Sequence, residues 1–125
     1  MPVPRITKED LKQRLEASGA GTAPILVDVR LKYPYEHSTV TLPGAIRLSA
    51  DAADFSMLPR DRDVVAYDSD PEEIVAARVA AELIRRGYRA AALKGGISDW
   101  VTAKFPTDPK EAPQAAPPSP GSLKG

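Results

Sequence analysis

The densest chemistry in this chain lies in Asp68-Ser69-Asp70-Pro71-Glu72-Glu73, directly after the apolar run Val64-Val65-Ala66-Tyr67. In an open parallel sheet ligands collect beyond the carboxyl ends of the strands, so a loop leaving such a run is where a site would form. The helix expected next offers a positive N-terminal end and free amides, a natural seat for an anion. Here Asp68, Asp70, Glu72 and Glu73 meet that end themselves, satisfy its amides and repel an external anion. Asp70 reads as the helix N-cap, worth about 1 kcal/mol. Glu72 and Glu73 complement the dipole as solvated charge. Asp68, Asp70 and Glu73 could together hold a divalent cation weakly, for structural purposes only. The sequence contains no cysteine, which excludes disulfides, thiolate metal sites and thiol nucleophiles.

A second group of chemically capable residues is scattered. Asp28 ends an apolar run and has Arg30 two positions on, a spacing that ties a loop together by hydrogen bonds or an ion pair. Arg78 falls two turns into the expected helix; it either points back to the loop carboxylates or to Asp28, or lies at the surface. His37, between Tyr35 and Ser38, reads as a surface residue in a loop. Gly95 and Gly96 serve a tight turn, and Trp100 with Phe105 packs the last helix on the body.

These residues need elements to position them. Thr7 can cap a short amphipathic helix over residues 8–17, with Leu11 and Leu15 at i, i+4. Residues 25–29 form a continuous apolar run that suits a strand covered on both faces. Residues 45–48 and 63–67 are further strands. The strongest start signal opens a helix over 71–86: Asp70 as cap, Pro71 at the first helical position, Glu73 three residues after the cap, and Gly87 at the end. A strand over 90–93 and a short helix over 98–104 complete the pattern. Strands alternating with helices imply a single-domain α/β fold, a small parallel sheet flanked by helices on both faces.

With 125 residues and 42% hydrophobic content the chain can bury one core. Seventeen basic residues balance seventeen acidic ones, so bulk charge selects neither nucleic acid nor an anionic membrane. No stretch approaches a membrane span and the N-terminal residues lack the apolar run of a secretory signal, so the expectation is a cytoplasmic monomer. About half of the thirteen prolines fall from Pro106 onward. The domain is therefore expected over residues 1–107, with 108–125 a disordered Pro-rich tail.

Several separated motifs, Asp28-Val29-Arg30, Leu42-Pro43-Gly44-Ala45, Tyr67-Asp68-Ser69-Asp70-Pro71-Glu72-Glu73, Ala77-Arg78-Val79-Ala80 and Leu93-Lys94-Gly95-Gly96 followed by Trp100, occur in an order that resembles the rhodanese-like domain. The resemblance covers about residues 5–107. Some members carry Tyr-Cys-x-Cys-Pro-x-Glu in the active-site loop, which implies that Asp68 holds the place of the nucleophilic cysteine and Asp70 that of a second one. Upstream, a family pattern of Glu, five residues, then His-Ile-Pro-Gly-Ala is close to Glu36 and Thr41-Leu42-Pro43-Gly44-Ala45, with Thr41 where His is usual and Val40 where Gly is usual. His37 does not fall on the family's histidine. The resemblance implies a sulfurtransferase scaffold, yet a carboxylate cannot carry a sulfane sulfur. The dual-specificity phosphatases of this fold need a cysteine and an arginine in one loop, and neither is present.

The leading expectation is thus a catalytically inactive rhodanese-like domain that acts as a binding or regulatory module for a protein partner, without a cofactor. One alternative keeps a sulfurtransferase-family role through a partner that supplies the thiol. Another is aspartyl-phosphate chemistry: Asp68-Ser69-Asp70 superficially looks like the Asp-x-Asp of dehalogenase-type phosphotransferases, and a receiver domain is also α/β. Asp68 would then be the nucleophile, with Mg²⁺, Asp28 as a second acid and Lys94 as the lysine. Against it stand the motif's place past the midpoint of the chain, the single acid after the first strand, and the negative crowding by Glu72 and Glu73.

Overall fold

A computed structural model describes residues 3–17, 23–48, 55–69 and 74–109. Strands and helices alternate along it: β1 Arg5–Ile6, α1 Lys8–Ala17, β2 Ile25–Asp28, α2 Lys32–His37, β3 Val40–Thr41, β4 Ile46–Arg47, a 3-10 turn over Phe55–Met57, β5 Val64–Tyr67, α3 Ile74–Arg85, β6 Ala90–Leu93, α4 Gly96–Thr102 and β7 Asp108–Pro109. Five strands form one sheet in the order β1-β6-β5-β2-β4, and every pairing in it is parallel. β3 and β7 form a separate antiparallel pair.

β5 is central and buried along its whole length, which is why its sequence is a continuous apolar run rather than an alternating one. Its side chains split by parity between two cores. Val64 and Ala66 join Val27, Ala76, Val79, Ala80 and Leu83 beneath α3. Val65 and Tyr67 join Leu11, Leu26, Leu93, Ile97 and Trp100 beneath α1 and α4. Helices therefore cover both faces. In α3 the buried residues recur at i, i+3, i+4 and i+7, from Ala76 to Leu83, and burial of the Leu83 side chain alone contributes about 1.5–3 kcal/mol.

The helix ends follow from particular residues. Thr7 Oγ1 accepts the Asp10 N–H at 3.1 Å and opens α1. Gly87, at φ 95°, closes α3: its N–H donates to Ile84 O and that of Tyr88 to Leu83 O, each at 3.0 Å, a Schellman termination that a residue with a Cβ resists. The Tyr88 hydroxyl then donates to the carbonyls of Phe55 (2.7 Å) and Leu58 (3.0 Å), fixing the 3-10 turn.

Three features differ from the sequence expectation. His37 is the last residue of α2, not part of a loop. α4 begins at Gly96, two residues early, because Gly95 (φ 80°) and Gly96 (φ 65°) together turn the chain into the helix. Asp108 pairs with Thr41 and Pro109 with Val40, so these two residues are in a strand although they follow the expected boundary at 107. The expected helix start at 70–73 and most of the expected tail, 110–125, lie outside the described residues. No helix among the described residues is long and apolar enough to cross a membrane.

Candidate functional site at the carboxyl end of the sheet

Two polar arrangements sit at the carboxyl ends of β2 and β5. The first is a row across three strands. Parallel register sets Asp28 opposite Tyr67 on one side and opposite Arg47 on the other. Asp28, 1% exposed, receives the Arg30 guanidinium in a fork, with Nη2 to Oδ2 at 2.7 Å and Nε to Oδ1 at 3.0 Å, and also the Arg30 backbone N–H at 3.1 Å. The Tyr67 hydroxyl donates to Asp28 Oδ2 at 3.1 Å and accepts the Leu42 N–H at 3.2 Å. Arg47 Nη1 lies 3.6 Å from Asp28 Oδ1 and donates to Arg30 O at 2.6 Å, while its guanidinium stacks 4.0 Å from the Tyr35 ring centre. Arg30 Nη2 adds a bond to Val40 O at 3.1 Å. A buried ion pair of this kind is stable because every group in it is satisfied, and it leaves Asp28 no free edge for a metal or a proton-transfer role. Burial, reinforced by the neighbouring Asp28 carboxylate, pushes the Tyr67 phenol well above its usual value and keeps it a neutral donor.

The second arrangement centres on Asp68. It is 2% exposed, follows β5 on the side of the sheet that carries α3, and its Oδ2 accepts the Ala76 N–H in the first turn of that helix at 2.8 Å. Its carbonyl accepts the Ile97 N–H at the start of α4, also at 2.8 Å. One residue thereby ties together β5, α3 and α4. The α3 amide at this end, which could cradle an anion, is met by the chain's own carboxylate.

Beside these groups opens a cleft of about 560 Å³. Hydroxyl-bearing Ser38, Thr39, Ser69 and Ser98 share its wall with the apolar Ile97 and Val101, and Arg30 and His37 also border it. Ser98 Oγ donates to Ser69 O at 3.3 Å across the loop. Asp68 is not among the lining residues.

Of the residues singled out in the sequence, Asp28 and Arg30 come together and Ser69 reaches the cleft, whereas Asp68 is turned into α3. Arg78 is exposed on α3, away from the buried Asp28 pair, and Lys94 is exposed as well. Asp70, Pro71, Glu72 and Glu73 lie outside the described residues. No group of three or more potential metal ligands occurs among the described residues. Tyr67 and Arg47 were not singled out as functional partners; strand register, the signal that joins them to Asp28, is a property of the assembled sheet.

This geometry defines a small parallel α/β protein with a cleft of mixed hydroxyl and apolar lining at the carboxyl ends of its central strands. The family model of the rhodanese-like domain matches residues 7–103, and the chain belongs to that family. None of the curated proteins matches it. Among solved structures it is similar to a full-length protein from Lactobacillus plantarum, with 20% identity and a TM-score of 0.72 over 85% of this chain and 88% of that one. A rhodanese-related protein from Thermoplasma volcanium shares 19% identity at TM-score 0.68, over 83% and 96%. A protein from Rhodopseudomonas palustris, described as a possible tyrosine phosphatase, shares 16% at TM-score 0.66, over 85% of each chain. At these identities the likeness concerns the fold alone.

Proposed function

We propose that this chain is a non-catalytic rhodanese-like domain, a cytoplasmic monomer that serves as a binding or regulatory module. The observation that supports this reading is the disposition of Asp68. At the position the family resemblance gives to the nucleophile stands a carboxylate that is buried, bonded to the Ala76 N–H and absent from the cleft wall. Such a group offers no sulfur to persulfidate and no exposed oxygen to attack an acyl or phosphoryl centre. The aspartyl-phosphate alternative loses support because its second acid, Asp28, is held by Arg30, Arg47 and Tyr67.

A thiosulfate:cyanide sulfurtransferase assay on the chain and on Asp68→Cys tests the proposal. The unaltered chain is expected to show no transfer above the uncatalysed background, and transfer by it would defeat the reading. Turnover by the cysteine variant alone would mean that the pocket is otherwise intact. Silence in both would mean a remodelled loop.

A further inference from the structure

At the end of the sheet opposite the cleft, α3 packs on β5 and β6 and leaves a trough against the edge strand β1. The trough holds about 590 Å³. Val3, Pro4, Ala81, Ile84, Tyr88 and Ala90 give it an apolar floor and wall, and Ile84 remains 41% exposed. Arg85 and Arg89 form its polar rim, and among the described residues no acidic side chain lines it.

The surroundings extend that positive rim. Arg85 and Arg86 share the single carboxylate of Glu82, and Arg14 and Arg89 share that of Asp63. Arg60 stacks 4.5 Å from the Tyr88 ring centre and donates to the Arg86 carbonyl, and Arg62 donates to Ala23 O at 3.0 Å. Arg14, Arg60, Arg62, Arg85, Arg86 and Arg89 thus gather at this end, where the two carboxylates of Asp63 and Glu82 are shared among four of them, in a chain whose net charge is zero. Local positive charge is concentrated here, not spread. Stacking and ion pairing hold the arginines in place, so a partner would find them ordered in advance.

From this combination we infer that the trough is a docking site for an extended segment of a partner protein in which acidic side chains flank apolar ones. The apolar side chains would enter between Ile84 and Tyr88, and the acids would meet Arg85 and Arg89. Among the described residues β1 pairs with β6 alone and stands at the margin of the sheet, so an extended segment can run along the trough beside it. The apolar floor favours a peptide over nucleic acid, whose phosphates would meet the rim and leave the floor uncovered. The inference does not depend on the fate of Asp68, because the two sites lie at opposite ends of the strands.

The test is an amide-shift titration of the full chain with the peptide Glu-Glu-Leu-Glu-Val-Leu-Glu-Glu and with its counterpart in which lysine replaces glutamate. The acidic peptide is expected to move Val3, Ala81, Ile84, Tyr88 and Ala90 and to bind more weakly as salt rises. Either Arg85→Glu or Ile84→Asp, both at exposed positions, should weaken binding by about tenfold or more, a loss typical of a contact that matters. Absence of shifts, shifts centred on Ser69 and Ser98, or equal binding of the lysine peptide would each overturn the inference. So would movement of the same amides by a DNA duplex or anionic vesicles when the peptide leaves them unmoved.

Discussion

Asp68 and Asp28 are both buried aspartates at strand ends, yet they carry different burdens. Asp68 satisfies an orphan amide of α3, so Asp68→Ala leaves the Ala76 N–H unpaired in a dry site and is expected to lower stability by about 1–2 kcal/mol. Asp68→Asn retains an acceptor oxygen and should lose less. Urea unfolding midpoints decide the matter, and equal midpoints for the alanine variant and the unaltered chain would remove Asp68 from its structural role. Asp28 depends on a charge partner. Arg30→Met removes the forked partner of a carboxylate 1% exposed and leaves it the more distant Arg47 at 3.6 Å, so the loss is expected to reach at most about 3–5 kcal/mol, the range for a broken buried pair. Adding Asp28→Asn to Arg30→Met removes the charge and should restore much of the loss. If the double variant is no more stable than Arg30→Met, the fork's hydrogen bonds to Val40 and the backbone, not its charge, hold this corner.

At the scale of elements, helices signalled by local chemistry were legible, and those that depend on distant pairing were not. α1 shows its Thr7 cap and its Leu11–Leu15 repeat in sequence, and α3 shows Gly87, because caps and periodicity are local properties. β1, β3 and β7 are two residues each, too short to carry a pattern, and exist only because β6 or each other lies alongside. α2 was obscured by Pro34, which reads as a breaker; it sits in the first turn, where the missing N–H removes no intrahelical bond. The site divides the same way: Asp28 with Arg30 is a local spacing, but Arg47 and Tyr67 join them only through register. The turn into α4 was legible from Gly95-Gly96, and it makes a sharp test. A Cβ on Gly95, at φ 80°, would collide with the Asp99 side chain in the first turn of α4. Gly95→Ala is therefore expected to cost about 1–3 kcal/mol, from backbone strain as well as the clash, read as a fall in thermal midpoint. Adding Asp99→Ala should recover only part of the loss, because the Cβ of residue 99 still crowds the new methyl and the left-handed backbone remains.

Across the whole molecule, one surface carboxylate links elements that are far apart in sequence. Asp63, just before β5, accepts Arg89 Nε at 2.6 Å, ahead of β6, and Arg14 Nη2 at 2.7 Å, from α1, while its backbone carbonyl accepts the Ile25 N–H at the start of β2. The hydrogen bonds from Arg89 and then Arg14 hold the Asp63 carboxyl below its ordinary value of 3.8. A carboxyl depressed on folding binds fewer protons in the native chain than in the unfolded one. Its stabilisation is therefore fully present above pH 3.8 and fades as the pH falls through the lower, folded value. Solvent reaches this cluster, so screening limits the effect, and Asp63→Asn should lower stability at neutral pH by about 0.5–1 kcal/mol. The gap between the two proteins, measured by urea unfolding, should narrow as the pH drops below 3.8 and should shrink at neutral pH when salt is added. A gap that persists unchanged at the acid end would mean that the asparagine disturbs packing between α1 and the strand ends, and that the charge network does not bind this edge of the fold together.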